Sequence, residues 1–219
     1  MKGLPGVVLA SMLAGSLVLT ACNLKSAQAG GAEELKNASS TTQAPKKEPT
    51  LYTARSCFSR MTDMAQRWSP DAMPFHLESD LNAESSGQAG QSTVWRGLFA
   101  SQSRRTFKSF VCSGSRLPDA PPLGVTSTAE MPYSANVPSL IFLPSYLQTD
   151  SDKAFAIAQG HGGADLIKKD PNGTILYLLT WDAKQKTLLW NVIYGRSATE
   201  RRGIGVINAS TGTFLRAGK

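Results

Sequence analysis

Apolar residues recur along the chain with two different periods, and these periods predict its secondary structure. Over residues 55–68 the spacing is helical, and one face collects Cys57, Met61, Met64, Ala65 and Trp68. Ser69-Pro70 then ends the pattern, because a residue before proline avoids the helical conformation. Three stretches with a period of two are predicted to be strands: 74–81, 93–100 and 106–113. In the first, Phe75 and Leu77 are expected opposite His76 and Glu78.

The same order of elements returns after residue 150. A second helix is predicted to begin at Ser151 or Asp152, either of which can cap it. Glycines at positions 160, 162 and 163 are expected to end this helix. Three more stretches then have the apolar pattern of strands: 174–181, 187–195 and 203–209.

The two halves also correspond residue by residue. Trp95 and Trp190 stand 95 positions apart, and an aromatic residue follows each after four positions, Phe99 and Tyr194. We interpret this correspondence as a tandem repeat, which predicts the α+β fold class with two helix-plus-antiparallel-sheet units. Because each unit is small for an independent core, we expect the two to pack together or to join their sheets.

Residues 1–21 have the layout of an export signal, with Lys2 before an uncharged apolar run that ends in small residues. The segment Leu19-Thr20-Ala21-Cys22 resembles the lipobox of bacterial lipoproteins, whose cysteine becomes the lipidated first residue of the mature chain. An uncleaved anchor is the alternative, since about twenty apolar residues span a bilayer. Two early glycines, a proline and the position of Cys22 favour the lipoprotein. Asn23 implies, by the same resemblance, the periplasmic face of the outer membrane in a two-membraned bacterium.

The composition divides the rest of the chain into four segments. Residues 22–50 lack aromatic residues and any sustained apolar pattern, so we expect a disordered tether. The first repeat is placed at 51–115 and the second, which resembles a known family, at 150–219. Between them, 116–149 holds six of the twelve prolines, which exclude long helices and central strands. This segment is therefore a connector.

The chain is basic, with a formal net charge of +7. Removal of the signal takes away one lysine and leaves 22 Lys and Arg against 16 Asp and Glu, a charge of +6. An exported basic protein is suited to anionic lipid, cell-wall polymer or acidic protein surfaces, and nucleic acid is not an expected partner there. Because the excess positive charge is spread thinly along the chain, an ordinary solvated surface is the alternative.

The chain has three cysteines. If Cys22 carries the lipid, Cys57 and Cys112 remain available to pair with each other. An exported compartment permits disulfides. Cys57 lies on the apolar face of the first helix and Cys112 in the last strand of the same repeat, so a helix packed across its own sheet would bring them close. A disulfide and two buried thiols both fit the sequence.

Candidate chemistry is sparse. A phosphate-binding loop needs glycines directly before a helix, whereas Gly203 and Gly205 precede a β-branched run, so no nucleotide site is expected. His76 and His161 are the two histidines, too few for a metal cluster, and we assign both to structural positions. We therefore predict no cofactor, no metal and no catalytic residue.

The turns after the second strand of each repeat carry arginine pairs, Arg104-Arg105 and Arg201-Arg202, and Arg196 precedes the second pair. If the repeats stack with like orientation, these five residues form one basic rim and a candidate binding surface. Solvated turn charges without a ligand are the alternative.

The second half resembles the PepSY domain family. After a helix come the strand pair ILYLLTWDAKQKTLLWNVIYG and the terminal segment GVINASTGTFL, in which Thr211-Gly212 makes a turn. Asn208 stands where the family usually has aspartate; it keeps the turn cap and carries no charge. The resemblance implies a small α+β module with a helix laid on an antiparallel sheet. The tandem pair resembles secreted β-lactamase inhibitor proteins, although the first repeat matches only loosely.

This resemblance implies a binding or inhibitory domain and supplies no catalytic residues. We therefore predict a non-enzymatic, lipid-anchored binding module of the cell envelope that regulates or inhibits a peptidase, with the exposed sheet face and the basic turns as contact surfaces. A structural or assembly accessory lipoprotein with no specific ligand is the alternative. A hydrolase is a third hypothesis, and no motif favours it.

Overall fold

Nine antiparallel strands form one sheet, and the helices pack on one of its faces. The computed structural model describes residues 47–218, which belong to the compact unit Pro45–Lys219. The predicted export signal, Cys22 and the tether up to residue 46 lie outside the described residues. Within 47–218, no helix is both long enough and apolar enough to cross a membrane.

The elements follow one another along the chain in two similar series. The first contains β1 (Tyr52–Thr53), α1 (Ala54–Trp68), β2 (Met73–Asp80), β3 (Gln91–Ser92), β4 (Val94–Ser101), β5 (Thr106–Ser113), β6 (Gly124–Ser127) and β7 (Met131–Pro132). The second contains α2 (Ser151–Ala158), α3 (Ala164–Lys169), β8 (Ile175–Asp182), β9 (Thr187–Gly195), β10 (Arg201–Asn208) and β11 (Phe214–Gly218). Short 3₁₀ turns occupy Gln88–Gly90, Val137–Leu140 and Pro144–Tyr146, and a π-helical turn occupies Gln159–Gly163.

The two halves share one sheet. Its strand order is β11-β10-β9-β8-β2-β4-β5-β6, with β7 also paired to β5. The seam between the halves is the antiparallel pair β2–β8, in which Leu77 lies opposite Leu179 and Glu78 opposite Leu178. The first long strand of each half is thus central, and the later strands extend outward from it. The sequence left open whether the two units pack together as separate sheets or join their sheets, and in the structure the sheets are joined.

Trp95 and Trp190 hold corresponding places in the core between sheet and helices. Both are fully buried, and their rings pack edge to face with centroids 6.4 Å apart. The indole N–H of Trp95 donates to the carbonyl of Tyr52 at 2.9 Å, and that of Trp190 donates to the carbonyl of Thr149 at 2.8 Å. Each acceptor lies two residues before the helix of its own half. Each tryptophan therefore links the start of that helix to the second long strand of the same half, β4 or β9.

A disulfide joins Cys57 in α1 to Cys112 in β5, with the two Cα atoms 5.6 Å apart. Both residues are fully buried in the helix-facing core. The bond therefore fastens the helix of the first half across its own sheet.

The second helix has a different cap from the one expected. Asp150 is its N-cap, and the Oδ1 atom accepts from the backbone N–H of Ser151 at 2.7 Å and of Arg55 at 2.9 Å. Ser151 Oγ accepts from the backbone N–H of Ala54 at 2.9 Å. The prediction of Ser151 or Asp152 as cap is therefore wrong, because the loop before α2 also meets the start of α1 and sets the cap one residue earlier.

The glycines after α2 interrupt the helix at a kink. Within Gln159–Gly163 the backbone leaves the helical conformation at His161, with a φ of −124°, and at Gly162, with a φ of +98°, and a new short helix, α3, then runs to Lys169. A left-handed φ suits glycine, and a glycine in this conformation commonly ends a helix. The predicted end of the second helix at the glycines is therefore confirmed, and α3 is an additional short helix that the sequence did not predict.

A β-bulge separates Phe75 from Leu77. The register of β2 against β4 shifts between Pro74 and His76, so Phe75 turns to the sheet face opposite Leu77. There it packs with Ala100 and with Val137 of the connector. The expectation that Phe75 and Leu77 share a face is wrong.

The face away from the helices is apolar on the second half. Outward positions of β8, β9 and β10 carry Leu176, Leu178, Leu189, Ile193, Ile204 and Val206. Leu189, Ile193 and Val206 are at most 5% exposed. The sequence predicted that this sheet face is an exposed contact surface, but these three side chains are buried. We therefore place the candidate site elsewhere.

Candidate functional site: a groove between the bent helix and strands β10 and β11

The two arginine-bearing turns lie at opposite ends of the sheet. Between β4 and β9 the order β4-β2-β8-β9 contains three antiparallel pairings, so β4 and β9 run in opposite directions. The turn after β4 therefore lies at one end and the turn after β9 at the other. The single basic rim expected from the sequence does not form, because the seam relates the halves by rotation and not by translation.

Arg104 belongs to a local polar cluster. Its Nε and Nη2 atoms each donate to the carboxylate of Glu130 at 3.0 Å, and its guanidinium lies 5.8 Å from the ring centre of Trp68. Glu130 also accepts from Thr106 Oγ1 at 2.6 Å and from the indole N–H of Trp68 at 3.0 Å. Arg104, followed by Thr106 and Trp68, lowers the pKa of Glu130 to about 2. The charge of Arg104 is therefore compensated within the fold.

The other four arginines do not converge on one site. Arg202 Nη1 donates to Asp170 Oδ2 at 2.6 Å, and Arg201 donates to the carbonyl of Ala198. Arg105 lies in its turn with a φ of +58°, and Arg196 is exposed next to the turn after β9. A binding role for the five arginines remains a sequence-based prediction.

A groove opens where the bent helix passes over β10 and β11. It has a volume of about 370 Å³. Its lining comes from the helix side and the strand side in nearly equal parts: Ala158, His161, Gly162, Gly163, Leu166, Tyr194, Arg202, Gly203, Ile204, Gly205, Ala217 and Gly218. We call it the helix–strand groove.

Three glycines of this groove permit close packing of helix and sheet. A Cβ atom on Gly163 would overlap the hydroxyl of Tyr194, and one on Gly203 would collide with a methyl group of Leu166. On Gly205 it would press on the side chain of Ala158 at 3.1 Å. The glycines of β10 therefore permit the close approach of helix and sheet.

Tyr194 places one buried hydroxyl in the groove. The side chain is 2% exposed, and its oxygen accepts from Gln159 Nε2 at 2.7 Å. Burial raises the pKa of Tyr194 to about 12. The phenol therefore stays protonated at physiological pH, and its own proton has no acceptor among residues 47–218. A ligand that accepts a hydrogen bond would satisfy it.

His161 and Arg202 flank the groove. The Nδ1 atom of His161 lies 2.8 Å from the carbonyl of Ile157, which only accepts, so this hydrogen bond places a proton on Nδ1. The imidazole stacks on Phe214 with centroids 3.9 Å apart. No carboxylate, thiol or aliphatic hydroxyl lines the groove. The arrangement is suited to binding.

The sequence assigned His161 to a helix end and did not identify this groove. Its residues come from three distant segments, which meet only through the sheet order. One usable signal was the density of glycines on both walls, Gly162 and Gly163 against Gly203 and Gly205, since facing glycines indicate close backbone approach. Within the described part of the chain, no group of three His, Cys, Asp or Glu side chains is arranged to hold a metal ion.

Comparison with known proteins adds little to this picture. No protein-family model matches the chain, and no curated protein matches it. The fold is similar to the crystal structure of a candidate lipoprotein from Clostridium difficile 630, with 11% identity, 80% of this chain and 95% of that chain covered, and a TM-score of 0.47. From a likeness this distant we derive neither a family nor a residue's role. Membership of the PepSY family remains a sequence-based prediction.

Proposed function

We propose that the protein is a lipid-anchored, non-catalytic binding module of the cell envelope and that the helix–strand groove is its ligand site. The observation that carries the proposal is the lining of this groove, where apolar and glycine surfaces surround the buried hydroxyl donor of Tyr194. Ligand sites combine a mostly apolar concave surface with a few placed polar groups, in volumes of roughly 300–1,000 Å³. The groove, at about 370 Å³, has these properties.

The groove favours a small amphiphile with a hydrogen-bond-accepting head. Ala158 and Leu166 offer contact to an apolar body, and the Tyr194 hydroxyl donates to the head. Arg202 at the groove wall is ion-paired with Asp170, so the Tyr194 hydroxyl supplies the main polar contact for the head. A carboxylate or phosphate on a compact apolar group meets both requirements.

The proposal includes the predicted envelope location. Residues 1–21 would be removed, Cys22 would carry lipid, and residues 22–50 would tether the folded part to the membrane, at the periplasmic face of the outer membrane in a two-membraned bacterium. The matching hydrogen bonds of Trp95 and Trp190 support the tandem, PepSY-like arrangement of 51–115 and 150–219 around the connector 116–149. A more specific form of the proposal is that the protein regulates or inhibits a peptidase. Dose-dependent loss of peptidase activity in envelope extracts would test it.

Binding of 2-naphthoate, a compact aromatic carboxylate, tests the groove. The full-length lipoprotein in lipid nanodiscs is titrated by calorimetry, with empty nanodiscs as the blank. We expect saturable binding that weakens about tenfold in Tyr194→Phe, since one buried hydrogen bond contributes about 1–1.5 kcal/mol. Tyr133→Phe, in the connector, is the matched control and should bind like the natural protein. An accessory protein with no ligand would give no saturable heat, and equal affinity in Tyr194→Phe would remove the groove from the proposal.

A further inference from the structure

A second groove lies at the opposite end of β9 from the helix–strand groove. It is formed by Tyr146 from the 3₁₀ turn before α2, by the β8–β9 hairpin and by the β10–β11 turn. Its volume is about 220 Å³, and its lining consists of Tyr146, Trp181, Lys186, Thr187, Asn208 and Ser210. We call it the aromatic groove.

Two stacked rings form a platform in this groove. The rings of Tyr146 and Trp181 are nearly parallel, at 7°, with centroids 5.5 Å apart. Trp181 is half-buried, whereas Tyr146 is 38% exposed although it is a large aromatic side chain. The backbone of this segment is held in place, because Ser210 Oγ donates to the carbonyl of Tyr146 at 2.8 Å. The platform is therefore fixed and open to solvent.

Hydrogen-bond donors surround the platform. Oδ1 of Asn208 accepts from the backbone N–H of Ser210 at 2.9 Å and of Thr211 at 3.1 Å, which fixes the orientation of the amide. Its NH₂ group, the indole N–H of Trp181 and the ammonium of Lys186 have no partner among residues 47–218. No carboxylate lines the groove. A ligand must therefore offer oxygen acceptors, and a negative charge is favoured.

We propose that the aromatic groove binds one pyranose ring of a glycan that carries an acetamido or a carboxylate group. The C–H face of a pyranose is apolar and flat enough to lie on an aromatic ring, whereas its hydroxyl, acetamido and carboxylate oxygens accept hydrogen bonds. Both requirements, a stacking face and peripheral acceptors, are met together in the same six residues. The site is separate from the helix–strand groove, so failure of one proposal leaves the other standing.

Three disaccharides test the chemistry by calorimetry on the full-length lipoprotein in nanodiscs. N-acetylglucosaminyl-N-acetylmuramic acid carries acetamido and carboxylate groups, diacetylchitobiose carries acetamido groups alone, and cellobiose carries neither. We expect affinity to fall in that order, with about a tenfold total difference, the equivalent of one charge-assisted hydrogen bond. Equal binding of all three, or binding of none at millimolar concentration, would overturn the proposal.

Four variants locate the binding. Tyr146→Ala should weaken every saccharide about tenfold, the size of a stacking contribution, and Tyr146→Phe should keep the affinity because the ring remains. Lys186 has a φ of +49°, so Lys186→Asn removes the charge with a residue that tolerates this conformation. This variant should abolish only the higher affinity for the disaccharide that carries a carboxylate.

Asn208→Asp retains the Oδ1 acceptor of the turn and removes the NH₂ donors. It should weaken all three disaccharides without lowering the melting temperature. Unchanged affinity in both Tyr146→Ala and Asn208→Asp would place any binding outside the groove and contradict the proposal.

A glycan of this chemistry can come from wall polymer or from a glycolipid. Co-sedimentation with isolated wall glycan strands and with vesicles that contain an acidic glycolipid distinguishes the two sources. Retention on either source that is lost in Tyr146→Ala supports the proposal, and retention on neither overturns it.

Discussion

Asp150 shows how one side chain serves two elements. Its Oδ1 atom accepts from the first N–H of α2 at Ser151 and from an N–H in the first turn of α1 at Arg55. Helix N-termini leave unpaired N–H groups, and a carboxylate there both accepts hydrogen bonds and opposes the positive end of the dipole. The two helices therefore begin at a common acceptor, which links the two halves.

We expect Asp150→Ala to lower the free energy of unfolding by about 2 kcal/mol, because loss of one cap costs about 1 kcal/mol and two helix starts are affected. Urea unfolding measures this. Asp152→Ala is the control, since that exposed side chain lies in the first turn and caps only its own neighbour, and it should cost less than about 0.5 kcal/mol. Equal losses in both variants would contradict the assignment of the cap.

Glu130 provides a pH-dependent contribution at the residue scale. Its folded pKa of about 2 lies below its ordinary value of 4.5, so its stabilisation is complete above pH 4.5 and is lost as the pH falls toward 2. Glu130→Gln should therefore lower the melting temperature at pH 7, and the difference should vanish near pH 2. Glu200→Gln, on an exposed turn, should show no such convergence. A constant difference across this range would refute the assigned role.

At this scale the sequence predicted apolar residues better than polar ones. The helical face with Cys57, Met61 and Ala65 is buried as expected, because apolar spacing within one helix is a local property. The partners of Arg104 and of Arg55 could not be inferred, since Glu130 is 26 residues away and Asp150 is 95 residues away. Such pairings follow from sheet order, which no local pattern contains.

The bent helix gives a paired test at the element scale. Gly162 has a φ of +98°, whereas Gly160 is helical and a Cβ there would meet nothing within 4 Å. Gly160→Ala should stabilise the protein by about 0.5–1 kcal/mol, because alanine loses less chain entropy in a helix. Gly162→Ala should destabilise it by about 1 kcal/mol through left-handed strain. Thermal unfolding measures both, and changes of the same sign would contradict the left-handed conformation of Gly162.

Element types were more predictable than their irregularities. The six long strands and α1 follow from apolar periods, which each segment carries within itself. The bulge at Phe75 and the short helix α3 beyond the glycines could not be predicted: Phe75 packs against the connector at Val137, and Leu166 of α3 packs against β10 at Gly203. The helix–strand groove depends on that second irregularity, so the site remained hidden.

The disulfide acts on the whole molecule through the unfolded chain. A bridge with a sequence separation of 55 removes chain entropy equivalent to about 4 kcal/mol at 25 °C. The double variant Cys57→Ala/Cys112→Ala should lose stability of this order and should unfold at the same urea concentration with or without reductant. Insensitivity of the natural protein to reductant would show that the bridge does not stabilise it.

The relation between the halves was the least predictable feature of the molecule. The sequence indicated two similar series of elements, and the structure contains both. Whether they join, and in which orientation, depends on a few pairings at Leu77 and Glu78 that look like any other strand positions. The expected basic rim failed for this reason, because an antiparallel seam sends Arg104 and Arg202 to opposite ends.

The seam itself has a consequence for assembly. Antiparallel pairing of two corresponding strands is the contact that a twofold axis imposes between identical subunits. Here the partners Leu77 and Leu179 lie in one chain, so the interface closes as an intramolecular step with a high effective concentration. Formation of this interface therefore does not depend on the protein concentration. The urea midpoint should therefore stay constant over a thousandfold dilution, so the sheet stays whole at any protein concentration.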